Sequence, residues 1–174
     1  MADLVAAMVQ ETHLRLSSDP RWKDQTFTTL YLGGGTPSIL PPDLLRHLLT
    51  GVLDAVGRPA SSFREITLEA NPEDVTEAQI HAWLELGVTR LSLGVQSFHD
   101  DTLAWMNRAH TGNQAERAVH LAHDLGIKSM TLDLIYGVPT ARNWHEDIFR
   151  AAALPVQHLS AYALTVEPGT VLGT

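Results

Sequence analysis

Cysteine is absent from all 174 residues. Its absence excludes disulfides, a thiol nucleophile, zinc–thiolate sites and any iron–sulfur cluster held by cysteines of this chain. Basic charge is also scarce, with 12 Lys and Arg against 20 Asp and Glu and a formal net charge of −8. A surface of that sign does not neutralise nucleic-acid phosphates over a broad face, so no nucleic-acid partner is expected. No apolar run approaches the ~20 residues that span a bilayer. Met1 to Glu11 lacks the basic start and apolar stretch of a secretory signal, and a cytoplasmic location is expected. No H-E-x-x-H, G-x-S-x-G or Walker motif occurs, which leaves zinc-protease, hydrolase-triad and P-loop chemistry without support.

What is present is the composition of a soluble globular unit, 44% hydrophobic and 18% charged. A chain of this size buries roughly 70% of its unfolded surface, enough to fold without a disulfide or structural metal. No linker, low-complexity run or internal repeat divides it, so residues 1–174 are expected to form one domain. Leu44, Leu45, Leu48, Leu49, Val52, Leu53 and Val56 recur at helical spacing after Pro41-Pro42-Asp43, with Gly57 as the left-handed stop. Thr76 to Gln79 and Thr111 to Gln114 read T-x-x-Q, a cap that opens helices closed by Gly87 and Gly126. Asn143 to Glu146 is a looser version of that cap. A first helix, about Asp3 to Leu16, is expected to bury Leu4, Val5, Met8 and Val9.

Five segments rich in β-branched and aliphatic residues alternate with these helices: about Thr28 to Leu32, Glu65 to Glu69, Arg90 to Gln96, Ser129 to Ile135 and His158 to Ala163. The alternation implies an α/β fold with a parallel sheet, either open and doubly wound or curled into part of a barrel. Sorting strand residues by parity separates an aliphatic face (Ile66, Leu68, Leu91, Leu93, Val95, Met130, Leu132, Leu134) from a polar one. The polar face carries Thr67, Glu69, Ser92, Gly94, Gln96, Thr131 and Asp133. A sheet covered by helices on both sides would be apolar on both, so a barrel or half-barrel with a ligand in its mouth explains the pattern better.

Glu69, Gln96 and Asp133 fall toward the C-terminal ends of their strands, where parallel α/β folds bind ligands. Each also has a structural reading, as a group that satisfies loop backbone donors. Gly33-Gly34-Gly35-Thr36-Pro37 follows the first strand directly, and glycines without Cβ let a ligand reach backbone N–H groups and the Thr36 hydroxyl. A tight turn is the plainer account of that run. Arg108 alone reads as a solvated charge, and His110, His120 and His123 as surface histidines.

Taken together, six blocks resemble one known family. They are Thr29-Leu-Tyr-Leu-Gly-Gly-Gly-Thr-Pro-Ser38, Glu69-Ala-Asn-Pro72, Leu91-Ser-Leu-Gly-Val-Gln-Ser-Phe98, Asn107-Arg-Ala-His110, Asp133-Leu-Ile-Tyr-Gly-Val-Pro139 and Ser160-Ala-Tyr-Ala-Leu-Thr-Val-Glu-Pro-Gly-Thr170. In order and spacing they resemble the HemW/HemN group of radical S-adenosylmethionine (SAM) proteins. The last block and the Asn-Arg-Ala-His form look more like the heme-chaperone branch than the oxygen-independent coproporphyrinogen III dehydrogenase branch.

The resemblance implies a (βα)6 partial barrel in which a [4Fe–4S] cluster holds and reductively cleaves SAM. Gly34, Gly35 and Thr36 match the glycine motif that contacts SAM through backbone groups. Glu69 matches the carboxylate that holds SAM, and Gln96, Arg108 and Asp133 match polar positions lining the SAM region. The implied partners are SAM, heme, recipient haemoproteins and a second copy in a homodimer.

The family's C-x-x-x-C-x-x-C, which supplies three thiolates to the cluster, has no counterpart here. The chain therefore resembles strands two to six of the barrel, with the first strand and cluster loop missing. Cluster and heme are expected only in a longer parent, and this chain alone is expected neither to hold the cluster nor to cleave SAM. The alternatives are a fragment of the coproporphyrinogen enzyme and a cluster-less module that binds SAM, heme or protein.

Overall fold

The computed structural model describes residues 1–22, 25–140 and 143–169. Helices α1 (Ala2–Ser18), α2 (Pro42–Val56), α3 (Glu77–Glu85), α4 (Asp100–Trp105), α5 (Gly112–Asp124) and α6 (Trp144–Ala153) alternate with strands β1 (Thr29–Leu32), β2 (Glu65–Ala70), β3 (Arg90–Gln96), β4 (Ser129–Tyr136) and β5 (His158–Ala163). The expected strands are all present, and only their ends move. Thr170, the last residue of the sixth block, lies outside the described residues.

Local chemistry sets the helix ends. Gly57, with φ 71°, closes α2. Thr111 accepts from the Gln114 N–H while the Gln114 side chain accepts from the Thr111 N–H, a complete capping box on α5. At α3 only the Thr76 half is made. Asn143 caps α6 through the His145 N–H rather than that of Glu146.

The strands lie in one sheet in sequence order, β1-β2-β3-β4-β5, every neighbouring pair parallel. No reversal of order occurs, so right-handed crossovers place every crossover helix on the same side. This is the topology of a partial (βα) barrel and not of a doubly wound sheet. The aliphatic face is the core: Ile66, Leu68, Leu91, Leu93, Val95, Met130, Leu132 and Leu134 are each 0% exposed. Ile80 and Trp83 of α3 and Ala115, Val119 and Ala122 of α5 pack in the same cluster.

The opposite face is polar and largely closed by its own contacts. Thr67, Ser92 and Thr131 are buried. At the N-terminal end of the strands Arg90 pairs with Glu65 at 3.2 Å and also bonds Thr131, while Thr67 donates to Glu65 at 2.9 Å. These groups fill the barrel floor, and the ligand-competent polar groups lie one layer above.

Helix α1 departs from its expected burial. Val5 is buried, but Leu4 and Met8 are 63% and 43% exposed. They line an open apolar groove of about 380 Å³ that also takes in Leu30, Tyr31, Ile39 and Val52. Helical periodicity identified the apolar stripe correctly; only the packing of α1 on α2 shows that part of it has no cover. Beside this groove, β1 pairs with β2 on one side alone, and β5 forms the second edge of the sheet. Unpaired edge backbone beside exposed aliphatic side chains promotes association. The 174-residue chain is therefore expected to elute from size-exclusion chromatography as species larger than a monomer, increasingly so with concentration. A single monomeric peak over a hundredfold concentration range would contradict this.

Candidate functional site

The C-terminal ends of β1 to β5 surround a polar cavity of about 300 Å³, a size at the lower end of ligand-binding clefts. Gly35, Thr36, Glu69, Gln96, Arg108 and Asp133 all line it. The seventh expected residue, Gly34, does not. Its N–H donates at 3.0 Å to Glu69 Oε2, with the glycine at φ 107°. The glycine turn thus spends one backbone donor on fixing the carboxylate, and Gly35 and Thr36 are the residues that face the cavity.

Glu69 is held on its other oxygen by Tyr31, whose hydroxyl donates to Oε1 at 2.7 Å. Burial, followed by this bond, raises the Tyr31 phenol to about 12, so it remains a donor at neutral pH. Gly33 matters for a steric reason: a Cβ there would stand 2.6 Å from Glu69 Oε1 and 2.5 Å from the Tyr31 ring. Tyr31 lies outside the site residues expected from the sequence, and Gly33 enters only as part of the glycine run. The signal for Tyr31 was its parity in β1, which directs it toward the strand-end carboxylate of β2.

Gln96 reaches the cavity through an irregularity. Leu93 pairs with Leu132 and Gln96 with Leu134, so β3 spends three steps where β4 spends two. The bulge leaves Gln96 at φ 65°, a left-handed conformation that costs a non-glycine residue about 1–2 kcal/mol. Buried groups hold the segment after it: Ser97 Oγ donates to the fully buried Asp147 at 3.1 Å, and the Phe98 N–H donates to the same carboxylate at 2.7 Å.

Arg108 is not a free surface charge. Its Nη2 donates to Asn71 Oδ1 at 2.8 Å and to the Gly94 carbonyl at 3.1 Å. Nε is buried with no protein partner. A Cβ on Gly94 would come within 3.0 Å of Gln96 Nε2, 3.2 Å of Asn71 Oδ1 and 3.3 Å of Arg108 Nη2, so these groups crowd over a position only glycine leaves open. Asn71 was visible in the Glu69 to Pro72 block, but its role as partner to Arg108 depends on a contact 37 residues distant.

Asp133 accepts from Ser92 Oγ at 3.2 Å. Burial raises its carboxyl above the usual carboxylate range, the Glu69 charge adds to the rise, and bonds from Ser160 and Ser92 partly offset it. Two carboxylates and one guanidinium thus share one cleft.

Among the histidines, His120 and His123 are exposed as expected, whereas His110 is buried. Among the described residues no group of His, Asp and Glu is arranged to hold a metal, and no helix is long and apolar enough to cross a membrane.

The Radical SAM superfamily model matches residues 8–152. The chain belongs to the radical SAM superfamily. It is 40% identical over 148 residues to the heme chaperone HemW of Escherichia coli K12, covering 84% of this chain and 39% of that protein. The heme chaperone HemW of Bacillus subtilis is 37% identical over 145 residues, 82% of this chain and 38% of that protein. Among solved structures, coproporphyrinogen III oxidase (HemN) from E. coli superposes with a TM-score of 0.81 at 24% identity over 96% of this chain and 38% of that one, a likeness of fold. The resemblance to the HemW/HemN group is therefore borne out. The chain spans under two fifths of the length of these curated relatives.

The raised Asp133 carboxyl has a consequence for stability. Between its unfolded and raised folded values the native state binds more protons, so its contribution falls as pH rises through that window. Asp133→Asn is expected to raise the melting temperature at pH 7, with the gain shrinking as pH falls toward the ordinary carboxylate range. A gain that grows toward acid pH would contradict the assigned shift.

Proposed function

We propose that this chain is the SAM-binding portion of a radical SAM protein of the heme-chaperone type, which works in the cytoplasm and passes heme to recipient haemoproteins. The identities of 37–40% to heme chaperones support the branch. One observation carries the SAM assignment: Glu69, Asp133, Gln96 and Arg108 converge with Gly35 and Thr36 on one cavity at the C-terminal end of a parallel barrel.

The residues present fit SAM by charge. Its sulfonium and ammonium are cationic and suit Glu69 and Asp133, and its carboxylate suits the guanidinium of Arg108, which lines the same cavity. Gln96 and the Thr36 hydroxyl offer neutral donors and acceptors, while Ile135 and Tyr162 add flatter, less polar wall. The cluster does not fit these residues, because no thiolate is among them. In a parent protein that supplies thiolates, the cluster would deliver the electron that cleaves SAM. The task of this chain is to hold and orient the molecule: Tyr31 and the Gly34 N–H keep Glu69 in place, and Asn71 and the Gly94 carbonyl keep Arg108 in place.

Calorimetric titration of the folded chain with SAM tests this reading. SAM is expected to bind, and Glu69→Gln to weaken it by about tenfold or more, the scale of a lost charge-assisted hydrogen bond. 5′-Methylthioadenosine, which lacks the ammonium and carboxylate, is expected to bind wild type and variant alike. A folded chain that takes up no SAM would overturn the assignment. In the full-length parent, coproporphyrinogen conversion without heme transfer would overturn the chaperone branch.

A further inference from the structure

His110 is the buried titratable side chain that the SAM reading leaves without a task. Its side chain is 0% exposed. Nε2 lies 3.0 Å from the Val95 carbonyl oxygen and Nδ1 2.9 Å from Glu73 Oε2, so both ring nitrogens face oxygen acceptors. Neither acceptor is arbitrary. Val95 immediately precedes left-handed Gln96, and its carbonyl also closes a tight turn by accepting the Ser97 N–H at 2.8 Å. Glu73 lies two residues after Asn71, which holds Arg108.

Two clamps therefore run side by side between the same three segments. Arg108 joins Gly94 to Asn71 on the cavity side. His110, two residues later in the chain, joins Val95 to Glu73 from within the protein. A bulge that places a non-glycine residue in the left-handed region persists only where its surroundings over-determine it. The ladder to β4 is interrupted between Leu93 and Gln96, and His110 meets the chain within that gap, at Val95.

We propose that His110 is the positioning residue of the cavity. By holding the Val95 carbonyl while anchored on Glu73, it keeps Gln96 turned inward and Arg108 over Gly94. That the ligand so served is SAM rests on the reading given above.

Two substitutions separate this role from simple packing. The terminal amide of glutamine reaches about as far as Nε2, so His110→Gln retains a donor for Val95 and gives up Glu73. Asparagine reaches about as far as Nδ1, so His110→Asn retains Glu73 and gives up Val95. Both lose the imidazole from the core. Hydrogen exchange without ligand, read on peptides spanning residues 93–98 and 106–110, is expected to accelerate about tenfold or more in the Asn variant and to stay within about threefold of wild type in the Gln variant. SAM affinity is expected to follow the same order.

Equal exchange in the two variants, or failure of both to fold, would overturn the proposal, because the ring would then matter only as packing. An Asn variant that fails to fold beside a folded Gln variant would support it. The exchange contrast with equal SAM affinities would overturn the link to the ligand. A wild-type chain that binds no SAM while the contrast holds would overturn the SAM reading and leave the clamp in place.

Discussion

Everything in this molecule depends on an asymmetry between the two faces of one parallel sheet. The aliphatic face, built from Ile66 and Leu68, from Leu91, Leu93 and Val95, and from Met130, Leu132 and Leu134, is fully buried and supplies the hydrophobic stabilisation. Because the strands follow in sequence order, the crossovers fall on that face, and the other face is left to be filled by the protein's own polar groups. A polar interior survives only if its members satisfy one another. Arg90, Glu65, Thr67 and Thr131 do so at the floor. One layer up, the same geometry leaves Glu69, Gln96, Arg108 and Asp133 around an open cavity.

The upper layer is organised by indirect support. Tyr31 and the Gly34 N–H hold Glu69, Asn71 and Gly94 hold Arg108, and Ser92 holds Asp133. Glu69, Arg108 and Asp133 have each spent part of their hydrogen-bonding capacity on the scaffold. The bulge in β3 belongs to the same design, since it exchanges two regular ladder positions for an inward-facing Gln96.

Membership of the radical SAM superfamily gives this arrangement its chemical sense. The barrel mouth supplies charge and hydrogen bonding of both signs, which is the basis of the proposal that it holds SAM. This chain carries no cysteine and so brings no thiolate to a cluster. The relatives are heme chaperones, and this chain spans under two fifths of their length.

A large part of this was legible in the amino-acid sequence. Period-two and period-3.6 patterning located the strands and helices, because each element must bury one face and expose or pair the other. Parity selected Glu69, Gln96 and Asp133; for Glu69 and Asp133 side-chain direction follows from regular strand geometry, whereas Gln96 reaches the cavity through the β3 bulge. What the tertiary structure decided were contacts between residues distant in the chain. The partners of Arg108 and His110 lie 14 to 37 residues away, and no local pattern records that separation. Gly34 bonding Glu69 instead of facing the cavity, and Leu4 and Met8 standing exposed in an uncovered groove, have the same origin. Local sequence sets which way a side chain points, whereas what it meets there is set by the packing of every other element.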